Sequence, residues 1–297
     1  MILIDFNQTL ISNLMSQISS NPNAELSESL IRHMVLSSIL SYKKKFSEDY
    51  GRMIFCADDR KYWRKEVFPF YKANRKKSRD ASKFDWNLIF GTLNKIRDEI
   101  KTIFPYLVIQ VEGAEADDII GTLVKYSQTN ELNSVSSSLD PDPQKVLILS
   151  GDKDFVQLQK YSNVCQYSPM QKRYLTTDNP RRTLLEHILI GDSGDGIPNF
   201  LSSDTVFINE DMRQKPIRRD RLETWLSLED PIKFCDENML RNFKRNEQLI
   251  NLDYIPVDIQ TKIIECYQAG PKGDRKNLLN YFVENKLKYL LDSISEF

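Results

Sequence analysis

The chain has 297 residues, of which 40% are hydrophobic and 28% are charged, which provides enough apolar material for one large domain or two smaller ones. Its 41 lysines and arginines nearly balance 42 aspartates and glutamates, so a uniformly basic coat for nucleic acid is excluded, although local basic segments are not. The four cysteines are scattered and there are only two histidines, so the ligand spacings typical of a zinc site are not found. The sequence has neither an apolar run of roughly 18 residues nor a leader, which predicts a cytoplasmic protein without a membrane partner.

The first predicted elements are two short strands that end in carboxylates. Residues 1–6 are apolar except for Asp5, which we place at the exit of the strand because burying an unpaired carboxylate is costly. A helical stripe at residues 30–40 separates this strand from a second one at residues 53–57. The second strand runs directly into Asp58, so both strands deliver an acidic side chain at their carboxyl ends.

The segment at residues 60–83 is basic and aromatic. It contains ten lysines and arginines, two acids and five large aromatic rings. Basic side chains bind phosphates and aromatic faces stack on bases, so this mixture is typical of contact with single-stranded or frayed nucleic acid. A solvated pair of charged helices would explain the charges, but it would have little use for five large rings.

A third strand is predicted at residues 107–111, after a strongly periodic helix at residues 86–104. The helix that follows this strand starts with Glu115, Asp117 and Asp118. Acids in a first helical turn are ordinarily explained by the helix dipole, worth about 0.3 to 1 kcal/mol each. Three such acids exceed that explanation and indicate a ligand site.

The fourth predicted strand is the apolar run Val146–Leu149, which Ser150 and Gly151 break and which Asp152 and Asp154 follow. Taken alone, these two acids would serve equally well as a cap for the next helix. In open α/β sheets, however, ligands collect beyond the carboxyl ends of the strands.

The chain around and after the fourth strand contains a loop, an edge strand and several helices. We predict the loop at residues 127–144, the edge strand at 164–167, and a helix at 184–190 that ends in a glycine-rich turn with Asp192 and Asp195. A basic cluster at residues 213–221 follows. Further helices are predicted at residues 257–267, 275–284 and 286–294.

A mostly parallel central sheet flanked by helices would bring the strand ends to one edge. Many carboxylates in one small volume raise each other's pKa unless cations neutralise them. Ligands that are all oxygen favour Mg²⁺, with Mn²⁺ as a substitute, and a pair of such ions about 3.5 to 4 Å apart supports phosphodiester hydrolysis. The acids that would meet at this edge are Asp5, Asp58, Glu115, Asp117, Asp152, Asp154, Asp192 and Asp195.

Four motifs resemble those of the 5′ nuclease, or flap endonuclease, family in their order and spacing. They are YKANR at 71–75, EADD at 115–118, SGDKDF at 150–155 and GDSGDGIP at 191–198. The segments YWR, YSPM and DYIP and the ending SISEF resemble the ribonuclease H branch of this family in T-even phages. The resemblance implies an α/β nuclease domain at 1–180 with a metal cleft and a helical arch at about 60–83. It also implies a smaller, mainly helical DNA-binding region at 181–297 with a helix-turn-helix-like motif.

The same resemblance implies roles for individual residues. The first metal is held by Asp5, Asp58, Glu115 and Asp117, and the second by Asp152, Asp154 and Asp192, while Asp118 and Asp195 are neighbours that act through water. The implied catalytic residues are Asp152 and Asp154 together with Lys72 and Arg75, which clamp the scissile phosphate. Further nucleic-acid contacts are implied for Tyr71, which stacks on a base, and for Arg64 and Lys76.

The implied activity is metal-dependent 5′ to 3′ exonuclease or flap endonuclease cleavage near the 5′ end of RNA–DNA or DNA duplexes, which removes primers and flaps in replication. The resemblance also implies a monomer, a single-strand-binding protein as a partner on the C-terminal helices and, for a phage protein, the host cytoplasm. After Asp195 the chain departs from cellular members, which carry a GIG-K hairpin. We therefore expect Arg218 and Arg219 to supply duplex contacts.

Two other functions fit parts of the sequence. A non-catalytic flap-binding replication protein would not need an acid at every metal position. The segment DFNQT at 5–9 resembles the aspartyl-phosphate motif of haloacid-dehalogenase-type phosphatases. That class needs an acid as proton donor where this chain has Asn7, and it leaves YKANR and GDSGDGIP unexplained.

Overall fold

The computed structural model describes residues 1–20, 26–80, 82, 84–129, 144–228 and 230–297, without the side chains of residues 19, 20 and 76–78. Most of the loop predicted at 127–144 lies outside these residues, and so does the Lys76 side chain. In the described part of the chain no helix combines the length and apolar character that a bilayer span requires.

One sheet of six strands lies at the centre of the molecule, in the order β3-β2-β1-β4-β5-β6. The first five strands run parallel and β6 runs antiparallel to β5. The predicted, mostly parallel α/β sheet is therefore confirmed, with β1 and β4 at its centre. The strands are β1 Ile2–Asp5, β2 Met53–Cys56, β3 Leu107–Ile109, β4 Val146–Leu149, β5 Val164–Ser168 and β6 Arg173–Leu175.

The prediction of an edge strand at 164–167 is wrong. This segment is β5, which pairs with β4 on one side and with β6 on the other. The edge strand on this side of the sheet, Arg173–Leu175, was not predicted because its three residues are exposed or half-buried and show no apolar alternation.

Eleven α-helices are found among the described residues: α1 Phe6–Ser20, α2 Glu28–Tyr50, α3 Arg64–Val67, α4 Arg75–Asp80, α5 Trp86–Ile103, α6 Ala116–Tyr126, α7 Pro180–Ile190, α8 Arg219–Leu228, α9 Glu237–Ile250, α10 Val257–Ala269 and α11 Leu278–Glu284. The helix α1 was not predicted. The helix α2 is longer than expected because Ser27 caps its start and Gly51, with φ of 79°, ends it. The segment predicted as a helix at 286–294 is the 3₁₀ helix Lys288–Glu296.

The two faces of the sheet are covered by different helices. Ile2 and Ile4 of β1 share a core with apolar side chains of α2, α5 and α11, whereas Leu3 shares a core with α6 and α10. A third core joins Phe68 and Tyr71 to helices α7, α8 and α9. The chain after residue 250 thus returns to both faces of the sheet, and the division into units at 1–180 and 181–297 stays a prediction.

Candidate active site

A cleft of about 650 Å³ lies at the carboxyl edge of the sheet. Four predicted metal ligands line it: Asp5 at the end of β1, Asp58 after β2, Asp117 in the first turn of α6 and Asp152 after β4. Parallel strands all end at one edge, which explains why side chains so distant in sequence meet there.

Burial and mutual repulsion disfavour the charged forms of these carboxylates. Burial, with Asp58 and Asp152 nearby, raises the pKa of Asp5 to about 8. Burial and the neighbouring Asp154 raise the pKa of Asp152 to about 7, and burial with Asp152 and Asp5 raises the pKa of Asp117 well above its ordinary value. A cation bound among these carboxylates would relieve their repulsion and restore their charged forms, so this part of the cleft favours a cation.

Neutral groups supply the hydrogen bonds to this part of the cleft. The backbone N–H of Gln8 donates to Asp5 at 3.1 Å. The Asn7 amide and the N–H of Ala116 donate to Asp58 at 2.9 and 2.8 Å. Among the described ion pairs, none involves Asp5, Asp58, Asp117 or Asp152. Because Asn7 is an amide that serves Asp58, it gives no support to a phosphatase proton donor.

A second group joins Asp154 and Asp192 through His187. The His187 Nδ1 atom lies 3.1 Å from Asp154, and its Nε2 atom lies 3.3 Å from Asp192. Although burial lowers it, the two carboxylates raise the pKa of His187 to about 9. Burial opposes the shift of Asp192, but His187 and Lys153 hold the pKa of Asp192 below its ordinary value. Sequence reasoning missed His187 because it considered histidines only as pairs at zinc spacing.

Basic residues meet the third group of acids, Glu115 and Asp195. The Lys72 ammonium pairs with Glu115 and lies 3.6 Å from Asp195, with which Arg75 also pairs. The Tyr71 hydroxyl oxygen lies 3.0 Å from Glu115 and 2.9 Å from Asp195, so these two carboxylates share its one proton. Burial opposes the shift, yet the cations Lys72 and Arg64 hold the pKa of Glu115 below its ordinary value. These contacts join the basic segment at residues 60–83 to the carboxylates of Glu115 and Asp195.

Arg64 lies inside the protein, with 3% of its side chain exposed. Its guanidinium donates to the Leu249 carbonyl at 2.8 Å and pairs with Glu115 and Asp118, each at 2.9 Å. Asp118 also accepts the N–H of Glu115 at 2.9 Å, in a capping box at the start of α6. Arg64 therefore bridges Glu115 and Asp118 and fixes both carboxylates at the start of α6.

Two residues predicted to contact nucleic acid are buried in the structure. The side chains of Arg64 and Tyr71, 3% and 2% exposed, are buried against internal partners, so their contacts with a phosphate and a base stay predictions. The sequence shows basic and aromatic residues but not which of them find internal partners. Arg218 and Arg219 are exposed at the start of α8, where Arg218 pairs with Asp220 at 2.8 Å, and neither lines the cleft.

The far wall of the cleft was not anticipated from the sequence. The helix α5 contributes Phe90, Asn94 and Arg97, and Arg79 of α4 places its guanidinium 5.6 Å from the centre of the Phe90 ring. The apolar period of α5 identified only the face that packs on the sheet. The residues on the opposite, polar face of α5 were the sequence signal that could have indicated this wall of the cleft.

Comparison with known proteins adds an independent line of support. Residues 13–183 match the family model of the 5′-3′ exonuclease N-terminal, resolvase-like domain, and residues 179–297 match that of the T4 RNase H C-terminal region. The ribonuclease H of Enterobacteria phage T4 is 32% identical over 99% of this chain and 95% of its own length. A 5′-3′ exonuclease of Buchnera aphidicola is 27% identical over 80% of this chain and 82% of its own length.

Solved structures show the same fold. A bacteriophage T5 flap endonuclease, in a complex with DNA and metal ions, is 18% identical, with a TM-score of 0.57 over 90% of this chain and 98% of its own. The T5 5′-exonuclease with bound zinc is 19% identical, with a TM-score of 0.56 over 97% of this chain and 98% of its own. From the two family models and the extent of the identity, we conclude that the chain belongs to the 5′-3′ exonuclease family, with a C-terminal region of the T4 ribonuclease H type.

Proposed function

We propose that this protein is a Mg²⁺-dependent 5′ to 3′ exonuclease and flap endonuclease that cleaves near the 5′ ends of DNA and RNA–DNA duplexes during replication. The observation that carries the proposal is the cleft at the strand ends, where buried carboxylates have raised pKa values and no cationic side chain of the described residues pairs with them. Membership of the 5′-3′ exonuclease family supports the same reaction class.

The donor set fits divalent cations. Asp5, Asp58, Glu115 and Asp117 would hold the first ion, and Asp152, Asp154 and Asp192 the second, with Mg²⁺ as the resident metal and Mn²⁺ as a substitute. When bound, such ions activate water and stabilise the leaving oxygen. Burial and the repulsion between neighbouring carboxylates raise the pKa of Asp5 and Asp152, and a cation at this place would offset both effects.

Lys72 and Arg75 orient the scissile phosphate in this proposal. Both side chains line the cleft while they pair with Asp195, so they stand between the basic segment and the acids. A phosphate that enters the cleft meets an ammonium and a planar guanidinium, which favours a fixed orientation of the reacting bond. Asp195 holds these cations in place when no substrate is bound.

For Arg64 and Tyr71 we propose positioning roles in place of the predicted substrate contacts. Each donates to Glu115, and together they fix the direction of this carboxylate. Asp118 supports the arrangement by holding Arg64. The contribution of Lys76 to nucleic-acid binding stays a prediction.

Cleavage of a flap substrate labelled at its 5′ end tests the function. We expect Mg²⁺-dependent products whose length separates release of short 5′ fragments from release of the whole flap. The variant Asp152→Asn should abolish cleavage and keep DNA binding, whereas the exposed control Asp258→Asn should leave both unchanged. Turnover by Asp152→Asn at the rate of the unmodified protein would refute the proposed metal cleft.

The duplex and partner contacts are proposed on the surface. Arg218 and Arg219 are exposed and would contact duplex phosphates; if their double alanine variant keeps the duplex affinity and its salt slope, this assignment is wrong. A single-strand-binding protein would dock on the exposed apolar side chains Leu279, Val283 and Tyr289 of the C-terminal helices. We further propose that the protein acts as a monomer in the cytoplasm.

A further inference from the structure

His187 occupies an unusual position beside the predicted second metal. It lies in the last turn of α7, and 9% of its side chain is exposed. Its two ring nitrogens approach carboxylates from two other elements: Asp154 in the 3₁₀ helix after β4 and Asp192 in the glycine-rich turn. A histidine that merely complemented the helix dipole would need neither contact.

The spacing of the donor atoms suits one cation bound by all three side chains. One donor atom each from Asp154, His187 and Asp192 lies within 4.8 Å of the others. The Asp154 oxygen nearest to Nδ1 is buried, and no donor among the described residues is aligned for a hydrogen bond with it, although the two atoms are 3.1 Å apart. Neighbouring ligands of an octahedral ion with bonds near 2.1 Å are separated by about 3 Å, which matches this pair of atoms.

We propose that His187 is a nitrogen ligand of the second divalent cation, beside Asp154, and that it tunes this position toward Mn²⁺ relative to Mg²⁺. The inference rests on the proposed two-metal function. As a transition-metal ion, Mn²⁺ accepts imidazole nitrogen more readily than Mg²⁺, which prefers oxygen. With Nδ1 on the ion, the Nε2–H donates to Asp192 and fixes the orientation of the ring. The first metal position keeps oxygen ligands only.

Electron spin-echo spectroscopy of the Mn²⁺-loaded protein tests this ligand directly. The chain has only two histidines, and the other, His33, packs against Tyr289 with the ring centres 6.2 Å apart. We expect the nitrogen-14 modulation of coordinated imidazole in the unmodified protein and in His33→Gln, and its loss in His187→Gln. Calorimetry should show Mn²⁺ affinity at one site reduced about 10- to 100-fold in His187→Gln, with a smaller change for Mg²⁺.

Each outcome decides the question. Absence of the nitrogen signal in the unmodified protein, or its persistence in His187→Gln, overturns the proposal. The measurement on the unmodified protein does not depend on how well the variant folds, and a thermal melt of His187→Gln checks that separately. A protein that cleaves flaps without the nitrogen signal refutes this inference alone, whereas one that shows the signal without cleaving refutes the proposed function.

Discussion

Lys72 connects the basic segment to the acidic cleft. Its φ of 57° lies in the left-handed region, which residues with a β-carbon rarely adopt, and its N–H donates to the Asp195 carbonyl at 2.7 Å. A conformation of this kind costs on the order of 1 to 3 kcal/mol and persists where the surroundings hold it. Here the Glu115 and Asp195 carboxylates hold the ammonium at the edge of the cleft.

Replacing Lys72 by alanine should chiefly lower the rate of cleavage. Loss of one preorganised cation at the scissile phosphate is expected to reduce the single-turnover rate on a flap substrate about 100-fold, with a smaller change in substrate affinity. Lys65 also lines the cleft, so Lys65→Ala is the matched control. If the two variants slow cleavage equally, Lys72 has no special role.

At the scale of elements, the buried Arg64 ties the short helix α3 to two others. Its guanidinium reaches Glu115 and Asp118 at the start of α6 and the Leu249 carbonyl of α9. Removing one partner of a buried ion pair leaves an uncompensated charge, which is costly because the interior solvates it poorly. The ends of three helices therefore depend on this one side chain.

The variant Arg64→Ala should lower the free energy of unfolding by about 3 to 5 kcal/mol. Urea denaturation measures this change, and the exposed neighbour Lys65→Ala should alter stability by less than about 0.5 kcal/mol. If Arg64→Ala leaves stability unchanged but weakens DNA binding, the result would instead support the phosphate contact that the sequence predicts for Arg64.

The C-terminal elements belong to the same core as the sheet. Phe297 is fully buried, with its ring 5.8 Å from Phe104 and 5.3 Å from Phe282. The Tyr281 hydroxyl donates to Glu99 at 2.7 Å, and Arg32 donates to both residues. Deleting residues 277–297 would therefore damage the fold as well as any partner surface.

Single substitutions separate these two effects. Phe297→Ala should cost about 3 to 5 kcal/mol of stability because it leaves a cavity in a packed core. Tyr289, which is 87% exposed, should be replaceable by alanine at a cost below about 0.5 kcal/mol. Denaturant melts measure both variants. A pull-down with Tyr289→Ala then reports on the proposed partner contact in a folded protein, and equal melts for the two variants would contradict the burial of Phe297.

At the scale of the whole molecule, the acidic cleft makes stability depend on pH and metal together. Burial holds the pKa of Asp5 at about 8 and that of Asp152 at about 7, above the value of about 3.9 for an unfolded aspartate. A raised folded pKa contributes stability that is complete below pH 4 and is lost as the pH rises through 7 to 8. Divalent cations bound as proposed would bind the folded cleft alone and would offset that loss.

We therefore expect the melting temperature of the metal-free protein to fall between pH 6 and pH 9, and added Mg²⁺ to reduce the fall. The amide of Asp152→Asn stays neutral, so this variant should show a smaller fall without metal than the unmodified protein. The exposed control Asp258→Asn should behave like the unmodified protein. Thermal melts in EDTA and in Mg²⁺ measure these changes, and a melting temperature that rises with pH in EDTA would show that the cleft acids are not the controlling groups.

The sequence by itself determined the sheet and most of its acidic edge. Apolar runs that end in Asp5, Asp58, Asp152 and Asp154 are local signals, and the parallel connection of strands carries such ends to one place without further information. The resemblance to the 5′ nuclease family came from motifs of the same local kind. Strand β6 and helix α1 were not predicted because the apolar periodicity of their residues is weak.

Only the tertiary structure decided which charges pair inside the protein. Arg64 meets Glu115 across 51 residues of sequence, and Tyr71 meets Asp195 across 124, so no local pattern reveals that both side chains are buried. The same holds for His187, whose nitrogens face carboxylates of two different elements. Burial and partner choice depend on how the helices pack on the sheet, and packing sums contacts between residues that are distant in sequence.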